Sequence, residues 1–488
     1  MPHPARSAVL WRCFLEAVPH ARICPLCSPP VAWPPVPPLH PPGHEKMRGQ
    51  GRQTFAQAGI GAALAAMALG LGVAACGEPP PDPQAEAAVE AGQPSSLHRR
   101  GLWVLCEGSQ RLLDHPEKIP QLLEDARALG VTDLFVQVYR GGRAWFDSSL
   151  ADSSPWQQVQ ERTGQDTLAA LLPEAHAAGL RVHAWVNVLS LASNTDAPLL
   201  RDLGPDAVLV DQAGRSLLDY PELDVPQPDR RYYRMGTPAV WLDPAAPGVA
   251  PRLAETFAEL AARYRDLDGI HLDYIRYPGV LPFAPGSRFG VGLDLGHGAK
   301  TRARFREETG LSPPRPPDQL GNANRWDEWR REKVTELVRS IRDASRLVKP
   351  DIEISAAVWA FADRAYLSIG QDWRRWLEEG LIEFAVPMAY TLDDRLFRYH
   401  AEAYTGDPQR ERIWPGIGAW LFSKRPEGAV DQVQTTRDVG LPGDALFSWD
   451  SIVDAPALRD ALVADAAQHG IPSAAEAAPA PAEDPHGE

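Results

Sequence analysis

Residues 268–278 read DGIHLDYIRYP, a stretch in which apolar and polar side chains alternate. Ile270 and Leu272 fall on one side of the pattern, and His271 and Asp273 fall on the other. This period of two predicts a short β-strand that begins at an Asp-Gly pair and stops at a Pro-Gly pair. A strand with acidic, aromatic and basic residues at its carboxyl end is typical of a site on a parallel sheet, where the chemistry collects at that end of the strands.

A regular alternation of strand and helix patterns surrounds this stretch. Strands are predicted over residues 101–106, 131–139, 180–188, 268–278, 352–359, 382–390, 412–419 and 445–449. Helices are predicted over residues 117–129, 166–178, 249–265, 325–348, 372–379, 393–404, 429–439 and 455–469. This order predicts an α/β fold, a single (β/α)8 TIM barrel with long insertions after strands 3 and 4. A doubly wound open sheet is the main alternative, and the lack of a glycine-rich phosphate loop after the first strand weighs against it.

The two ends of the chain differ in composition from its centre. Residues 1–46 are rich in proline without an apolar period, which predicts a non-native or disordered extension. Residues 47–76 have a basic start and an apolar run of small residues, a pattern that resembles a bacterial lipoprotein signal peptide. An uncleaved membrane anchor is the alternative. Residues 77–98 are predicted to be a flexible linker, residues 99–470 the catalytic domain, and residues 471–488 a disordered acidic tail.

The composition bears on the location and partners of the protein. A lipoprotein signal would make Cys76 the lipidated first residue and anchor the protein to a membrane of the bacterial cell envelope, on its periplasmic or extracellular face. The net charge of −15 favours solubility and argues against nucleic acid as a partner. Cys24 and Cys27 have the spacing of half a zinc site, but no second pair accompanies them. The sequence also contains no Gly-x-Ser-x-Gly elbow, so we predict neither a metal nor another cofactor.

Polar and aromatic side chains collect on the predicted strands, mostly at their carboxyl ends. They are Glu107, Gln137, Arg140, His183, Trp185, Asn187, His271, Asp273, Tyr274, Arg276, Trp359, Met388, Tyr390, Trp420, Trp449 and Asp450. Aromatic rings stack on sugar rings, and a pair of carboxylates can supply the nucleophile and the acid for glycosidic cleavage. This set predicts a glycoside hydrolase with a polysaccharide substrate.

Four motifs together resemble bacterial glycosyl-hydrolase-like family 10 proteins. They read RGLWV at residues 100–104, LRVHAWVN at 180–187, DGIHLDY at 268–274 and PMAY at 387–390. The resemblance spans roughly residues 99–450 and implies a barrel distantly related to the α-amylase superfamily. Many such proteins are lipoproteins, and some act on the glycan strands of peptidoglycan. The resemblance also implies that Asp273 is the nucleophile and that residues 183–187 line the cleavage subsite, although His183 stands where amylases carry an aspartate.

The fifth strand departs from the amylase pattern. Amylases carry the proton-donating glutamate at the end of that strand, whereas residues 354–359 read ISAAVW and contain no carboxylate. The proton donor must therefore come from elsewhere in the chain. Glu107 at the end of the first strand is our first candidate, followed by Asp363 and Asp450.

Each candidate residue also has an interpretation that is only structural. Asp273 and Arg276 can form a buried ion pair that ties down a loop, and His183 and His271 can be hydrogen-bonded core residues. The tryptophans are as compatible with core packing as with sugar binding. We therefore predict a lipid-anchored glycoside hydrolase with a retaining mechanism, and we keep a non-catalytic, glycan-binding lipoprotein on the same barrel as the alternative.

Overall fold

The structure, a computed structural model, describes residues 98–282, 293–314 and 321–469 of the 488-residue chain. Eight parallel strands lie at its centre. They are β1 (Arg99–Val104), β2 (Asp133–Arg140), β3 (Arg181–Asn187), β4 (Gly269–Asp273), β5 (Glu353–Trp359), β6 (Phe384–Met388), β7 (Gly416–Gly418) and β8 (Gly443–Phe447). Neighbouring strands pair in sequence order, and β1 pairs with both β2 and β8. The sheet is therefore closed, which confirms the predicted (β/α)8 barrel.

Helices connect the strands. The eight main helices are α1 (Ile119–Ala128), α2 (Thr167–Ala177), α3 (Val249–Arg263), α4 (Ala323–Val348), α5 (Trp373–Glu378), α6 (Asp394–Thr405), α7 (Pro426–Asp438) and α8 (Pro456–Gln468). Local signals fix several of these ends. The Asp166 side chain accepts the N–H of Ala169 and caps α2. The longest helix, α4, buries a face of apolar residues at a spacing of three and four, which is the amphipathic pattern expected from its sequence.

The structure contains elements that the sequence pattern did not predict. Short helices cover Ser154–Thr163, Pro198–Leu203, Ala299–Thr309, Ala362–Ile369 and Trp449–Val453. The two long insertions also meet through an antiparallel pair of short strands, Tyr233–Met235 and Val280–Pro282. The helix Ala299–Thr309 escaped prediction because it buries only Thr301 and Phe305, so its sequence carries almost no apolar period.

Side chains on each strand alternate between two packing layers. Ile270 and Leu272 of β4 belong to the large apolar layer between the strands and the helices. His271 of the same strand points the other way, into the lumen, where its ring stacks on Phe135 of β2 at a centroid distance of 4.2 Å. The lumen is filled mainly by aromatic side chains, including Trp103 and Phe384. The predicted alternation along β4 is thus confirmed, and it directs Asp273 into the lumen at the carboxyl end of the strand.

A buried ion pair holds the closing seam of the barrel, where β1 meets β8. The Arg100 guanidinium donates to both carboxylate oxygens of Asp444, at 2.8 and 2.9 Å, and to the carbonyl oxygen of Leu129. Arg100 and Asp444 have no exposed surface. Burial alone would raise the pKa of the Asp444 carboxyl, but the Arg100 charge and the contact with His98 outweigh it, and the pKa lies below its usual range.

Several predictions concern the chain ends. The extension 1–46, the signal peptide with Cys76, most of the linker and the acidic tail lie outside the described residues. Within the described ranges, no helix has the length and apolar character needed to cross a membrane.

We expect Asp444→Asn to destabilise the fold strongly, because it leaves the Arg100 guanidinium buried without an anionic partner. The free energy of unfolding measured in urea should fall by about 3–5 kcal/mol. Asp351→Asn is the matched control, since the Asp351 side chain is 79% exposed and pairs with Lys349 at the surface. The control should leave the free energy of unfolding nearly unchanged. Equal effects of the two substitutions would contradict a special role of the seam.

Candidate functional site

Asp273 ends β4 and carries its carboxylate into the mouth of the barrel. The side chain is only 6% exposed. Its Oδ2 accepts the indole N–H of Trp185 at 3.2 Å, and its Oδ1 accepts the backbone N–H of Tyr274 at 2.6 Å. Burial raises the pKa of the Asp273 carboxyl, and the Arg276 charge with these two N–H donors offsets only part of the rise. Asp273 is thus a fixed, largely desolvated carboxylate.

The chain turns sharply directly after Asp273. Tyr274 has φ of +53°, a left-handed conformation that is uncommon for a residue with a side chain. This turn ends β4 five residues before the predicted strand end and returns the Tyr274 N–H to the carboxylate of Asp273. Conformations of this kind persist where the surrounding structure imposes them, and they concentrate at functional sites. The Tyr274 ring packs against Trp241, at a centroid distance of 5.5 Å.

Arg276 lies next to Asp273 but does not form the ion pair that we considered from the sequence. Its guanidinium carbon lies 4.8 Å from the ring centre of Tyr274, 5.3 Å from that of Trp241 and 5.9 Å from that of Trp359. Among the described residues, no carboxylate oxygen lies within 4.0 Å of its nitrogens, and its buried Nε has no hydrogen-bond partner. The positive charge still acts on Asp273 through space and lowers its pKa.

Two amides lie at the carboxyl ends of β2 and β3. The Gln137 side-chain N–H donates to the Asn187 oxygen at 3.3 Å, and the Gln137 oxygen accepts the Cys106 N–H at 3.4 Å. Asn187 is the register partner of Asp273 in the β3–β4 ladder. The structure therefore brings together Gln137, Asn187 and Asp273, as the strand-end argument predicts.

Glu107, our first candidate for the proton donor, lies in an arginine cluster. Its Oε2 lies 2.9 Å from Nε of Arg140, and its Oε1 lies 2.5 Å from Nη2 of Arg143. Both carboxylate oxygens are therefore engaged. Arg140 was predicted to bind substrate, whereas Arg143 was not singled out, although it follows β2 directly. A proton-donating role for Glu107 remains a prediction, and it requires these contacts to open when substrate binds.

Two predictions after β8 need correction. Trp449 has no exposed surface, and its indole N–H donates to Asp125 of α1, outside the lumen, so it is not a sugar platform. The expectation was wrong because β8 ends at Phe447 and Trp449 begins a helix, where the alternation of a strand no longer applies. Asp450 is 4% exposed, and its oxygens accept the backbone N–H groups of Leu105 and Gln110, which fixes the segment after β1.

The two histidines lie deep in the lumen and have no exposed surface. Nε2 of His183 lies 3.1 Å from Oδ1 of Asp133, and Nδ1 of His271 lies 2.8 Å from Oγ of Ser355. Their predicted contact with substrate is therefore not supported, and the interpretation as core residues holds.

Three predicted aromatic residues lie in the upper lumen and at the mouth. Trp185 is 3% exposed and serves Asp273 through its N–H, while Trp359 and Tyr390 are partly buried. Trp241, in the insertion after β3, was missed as a site residue. The signal for it was the length of that insertion, because long loops in compact domains are usually functional. Among the described residues, no group of three or more His, Cys, Asp or Glu side chains could hold a metal ion.

The comparisons with known proteins agree with this geometry. The glycosyl hydrolase DigH of Escherichia coli K12 is 24% identical over 390 residues, which cover 70% of this chain and 79% of DigH. The glycosyl hydrolase YngK of Bacillus subtilis is 25% identical over 291 residues, covering 55% of this chain and 48% of YngK.

Among solved structures, the PgaB (BpsB) glycoside hydrolase domain of Bordetella bronchiseptica matches with a TM-score of 0.50 and 16% identity, over 75% of this chain and 99% of that domain. A catalytic mutant of the β-galactosidase Gan42B of G. stearothermophilus matches with a TM-score of 0.50 and 12% identity, over 78% of this chain and 58% of that one. At this level of identity, these likenesses show the barrel fold. The family model described as Glycosyl hydrolase-like 10 matches residues 98–405, from β1 to α6, and the chain belongs to that family.

Proposed function

We propose that this protein is a glycoside hydrolase that cleaves O-glycosidic bonds of a polysaccharide, with Asp273 as the nucleophile. The observation that carries the proposal is the state of the Asp273 carboxylate. It lies inside the mouth of a closed barrel, two N–H donors fix it, and no cation contacts it among the described residues. Asp450 is also buried and held by two N–H donors, but these donors belong to the segment after β1 that it fixes. Asp273 instead faces the lumen at the carboxyl end of β4, where (β/α)8 barrels carry their active sites.

The chemistry follows from this position. Asp273 attacks the anomeric carbon of the sugar while a second carboxylic acid protonates the leaving oxygen, and water then releases the sugar from the covalent intermediate. The N–H groups of Trp185 and Tyr274 hold the attacking carboxylate in one orientation. The nearby Arg276 charge favours its ionised form, which the nucleophile must adopt.

The second carboxylic acid is to be sought in the loops around the mouth. Glu107 must first leave Arg140 and Arg143. Asp363 is exposed in the first turn of the helix Ala362–Ile369, just after β5, near the place where amylases carry their acid. Asp450 is the weakest candidate, because both of its oxygens already accept backbone N–H groups.

The proposed substrate and location come from the sequence. The resemblance to family 10 proteins favours peptidoglycan glycan strands as the substrate. The pattern of residues 47–76 favours export and a lipid anchor at Cys76 in the bacterial cell envelope. A non-catalytic, glycan-binding protein remains the second candidate, because β5 ends in Trp359 without a glutamate and Glu107 is held in two ion pairs.

Asp273→Asn should abolish cleavage, since an amide cannot attack the anomeric carbon. We expect release of oligosaccharides to fall by roughly 10³-fold or more. The assay uses purified peptidoglycan sacculi and a panel of neutral glucans, followed by chromatography of the soluble products. Asp351→Asn, the same substitution on the opposite side of the barrel, should keep full activity. Full activity of Asp273→Asn would refute the assigned nucleophile, and a wild-type protein that binds glycans without cleaving any would favour the binding alternative.

The proton donor can be identified through the leaving group. Removing the acid should slow cleavage of the natural glycan by roughly 10²–10⁴-fold, but it should hardly affect aryl glycosides whose leaving group needs no proton. We expect Glu107→Gln to lose activity on the polysaccharide while it keeps activity on dinitrophenyl glycosides. We expect no such difference between the two substrates for Asp363→Asn. The reverse result would assign the role to Asp363.

The raised pKa of Asp273 predicts a pH-dependent cost in stability. The folded protein holds the Asp273 proton more tightly than the unfolded chain does, so stability falls as pH rises through the window between the ordinary and the raised pKa. The free energy of unfolding of the wild type should therefore decrease relative to that of Asp273→Asn as the pH rises from about 3 to about 7. Urea unfolding of both proteins across this range measures the difference. A difference that stays constant, or that grows in favour of the wild type, would show that the carboxylate is not destabilised by burial.

A further inference from the structure

The guanidinium of Arg276 is a buried cation without a direct anionic partner. The residue is 6% exposed, and no carboxylate oxygen of a described residue lies within 4.0 Å of its nitrogens. Its Nε is buried and has no hydrogen-bond partner in the part of the chain that the structure describes. Burial lowers the pKa of this guanidinium, and the charge of Asp273 offsets only part of that effect. A buried charge without a partner costs free energy, so its retention calls for an explanation.

The surroundings of Arg276 fix the side chain without using its hydrogen-bonding capacity. The rings of Tyr274, Trp241 and Trp359 lie within 4.8 to 5.9 Å of the guanidinium carbon. Aromatic faces attract a cation and hold the guanidinium in place, but they offer no acceptor in the plane of the group. The N–H donors of Arg276 therefore remain available to a ligand.

We propose that Arg276 is a specificity-determining residue, which binds a carboxylate on the sugar chain next to the scissile bond and so sets the preference between acidic and neutral glycans. This inference rests on the proposed function, because it assigns a specificity-determining residue to the same site. A guanidinium presents paired N–H groups in a fork that matches a carboxylate, and such charge-assisted pairs are among the stronger hydrogen bonds.

The charge at the mouth supports this assignment. The chain carries a net charge of −15, which would repel an anionic polymer. Near the mouth, however, Arg140 and Arg143 both pair with the single carboxylate of Glu107, and Arg276 has no carboxylate oxygen within 4.0 Å among the described residues. Glu107 is itself neutralised by its two arginines. The cluster of Arg140, Arg143 and Glu107 thus keeps one positive charge in excess, and Arg276 is a second cation that a glycan carboxylate could pair with.

Binding a substrate carboxylate at Arg276 is compatible with the role of Asp273. The two residues are not in direct contact, and Asp273 keeps its own hydrogen bonds from Trp185 and Tyr274. A ligand on Arg276 therefore breaks no contact of the nucleophile. Arg276 could instead act only by lowering the pKa of Asp273. That role predicts no preference between acidic and neutral glycans, and this difference makes the proposal testable.

The test measures binding in the Asp273→Asn background, so that cleavage cannot interfere. The probes are peptide-free glycan strands of peptidoglycan, in which every second sugar carries a lactyl carboxylate, and the same strands after chemical reduction of those carboxylates to alcohols. By calorimetry, we expect the acidic strands to bind at least tenfold more tightly than the reduced strands. Adding Arg276→Met should abolish the preference, and Arg276→Lys should retain part of it, because an ammonium keeps the charge but loses the fork.

The matched control is Arg331→Met on α4, which removes another arginine packed on an aromatic ring, that of Tyr366 at 3.8 Å. It should leave the preference unchanged, and thermal unfolding of each variant verifies its fold. Equal binding of acidic and reduced strands, or a preference that survives Arg276→Met, would overturn the role of Arg276 while leaving the proposed hydrolase intact. Absence of both binding and cleavage in the wild type would overturn the proposed function and this inference together.

Discussion

Closure of the eight-stranded sheet is the constraint on which the rest of the structure depends. Once β1 pairs with both β2 and β8, every strand residue faces either the lumen or the helices. On β4 this rule sends Ile270 and Leu272 to the helix layer, and it sends His271 and Asp273 inward. The same backbone alternation therefore builds the apolar layer and places the Asp273 carboxylate, so the candidate site cannot be separated from the fold.

The barrel distributes its buried charges unequally between the seam and the mouth. At the seam, Arg100 donates to both oxygens of Asp444 and to Leu129, Asp444 also contacts His98, and the pKa of Asp444 is lowered. At the mouth, Asp273 and Arg276 lie close together without a direct contact. Burial raises the pKa of Asp273 and lowers that of Arg276, so it favours the neutral form of each side chain. Sites that act on ligands commonly keep such unsatisfied groups at a cost in stability, which the well-paired seam helps to offset.

The periodic parts of the sequence predicted the fold and the position of Asp273 because both depend on alternation alone. Prediction failed where the chain leaves regular structure. Trp449 starts a helix where a strand was expected, and Tyr274 turns into a left-handed conformation that its residue type does not signal. Trp241, in the insertion after β3, packs against Arg276, which follows the end of β4. Contacts of this kind depend on tertiary packing that no local sequence pattern encodes.

The absence of a glutamate at the end of β5 has a physical consequence for Asp273, the proposed nucleophile. A second carboxylate there would lie beside Asp273 and would raise its pKa further, although burial already raises it. In its place stands Trp359, whose ring helps to hold the Arg276 cation, so the substitution makes this side of the mouth less negative. Glu107 follows β1, three strands away from β4 around the ring. In the proposed mechanism, Asp273 on β4 and Glu107 after β1 would act on the glycosidic bond from different strands, with the sugar chain entering over Arg276.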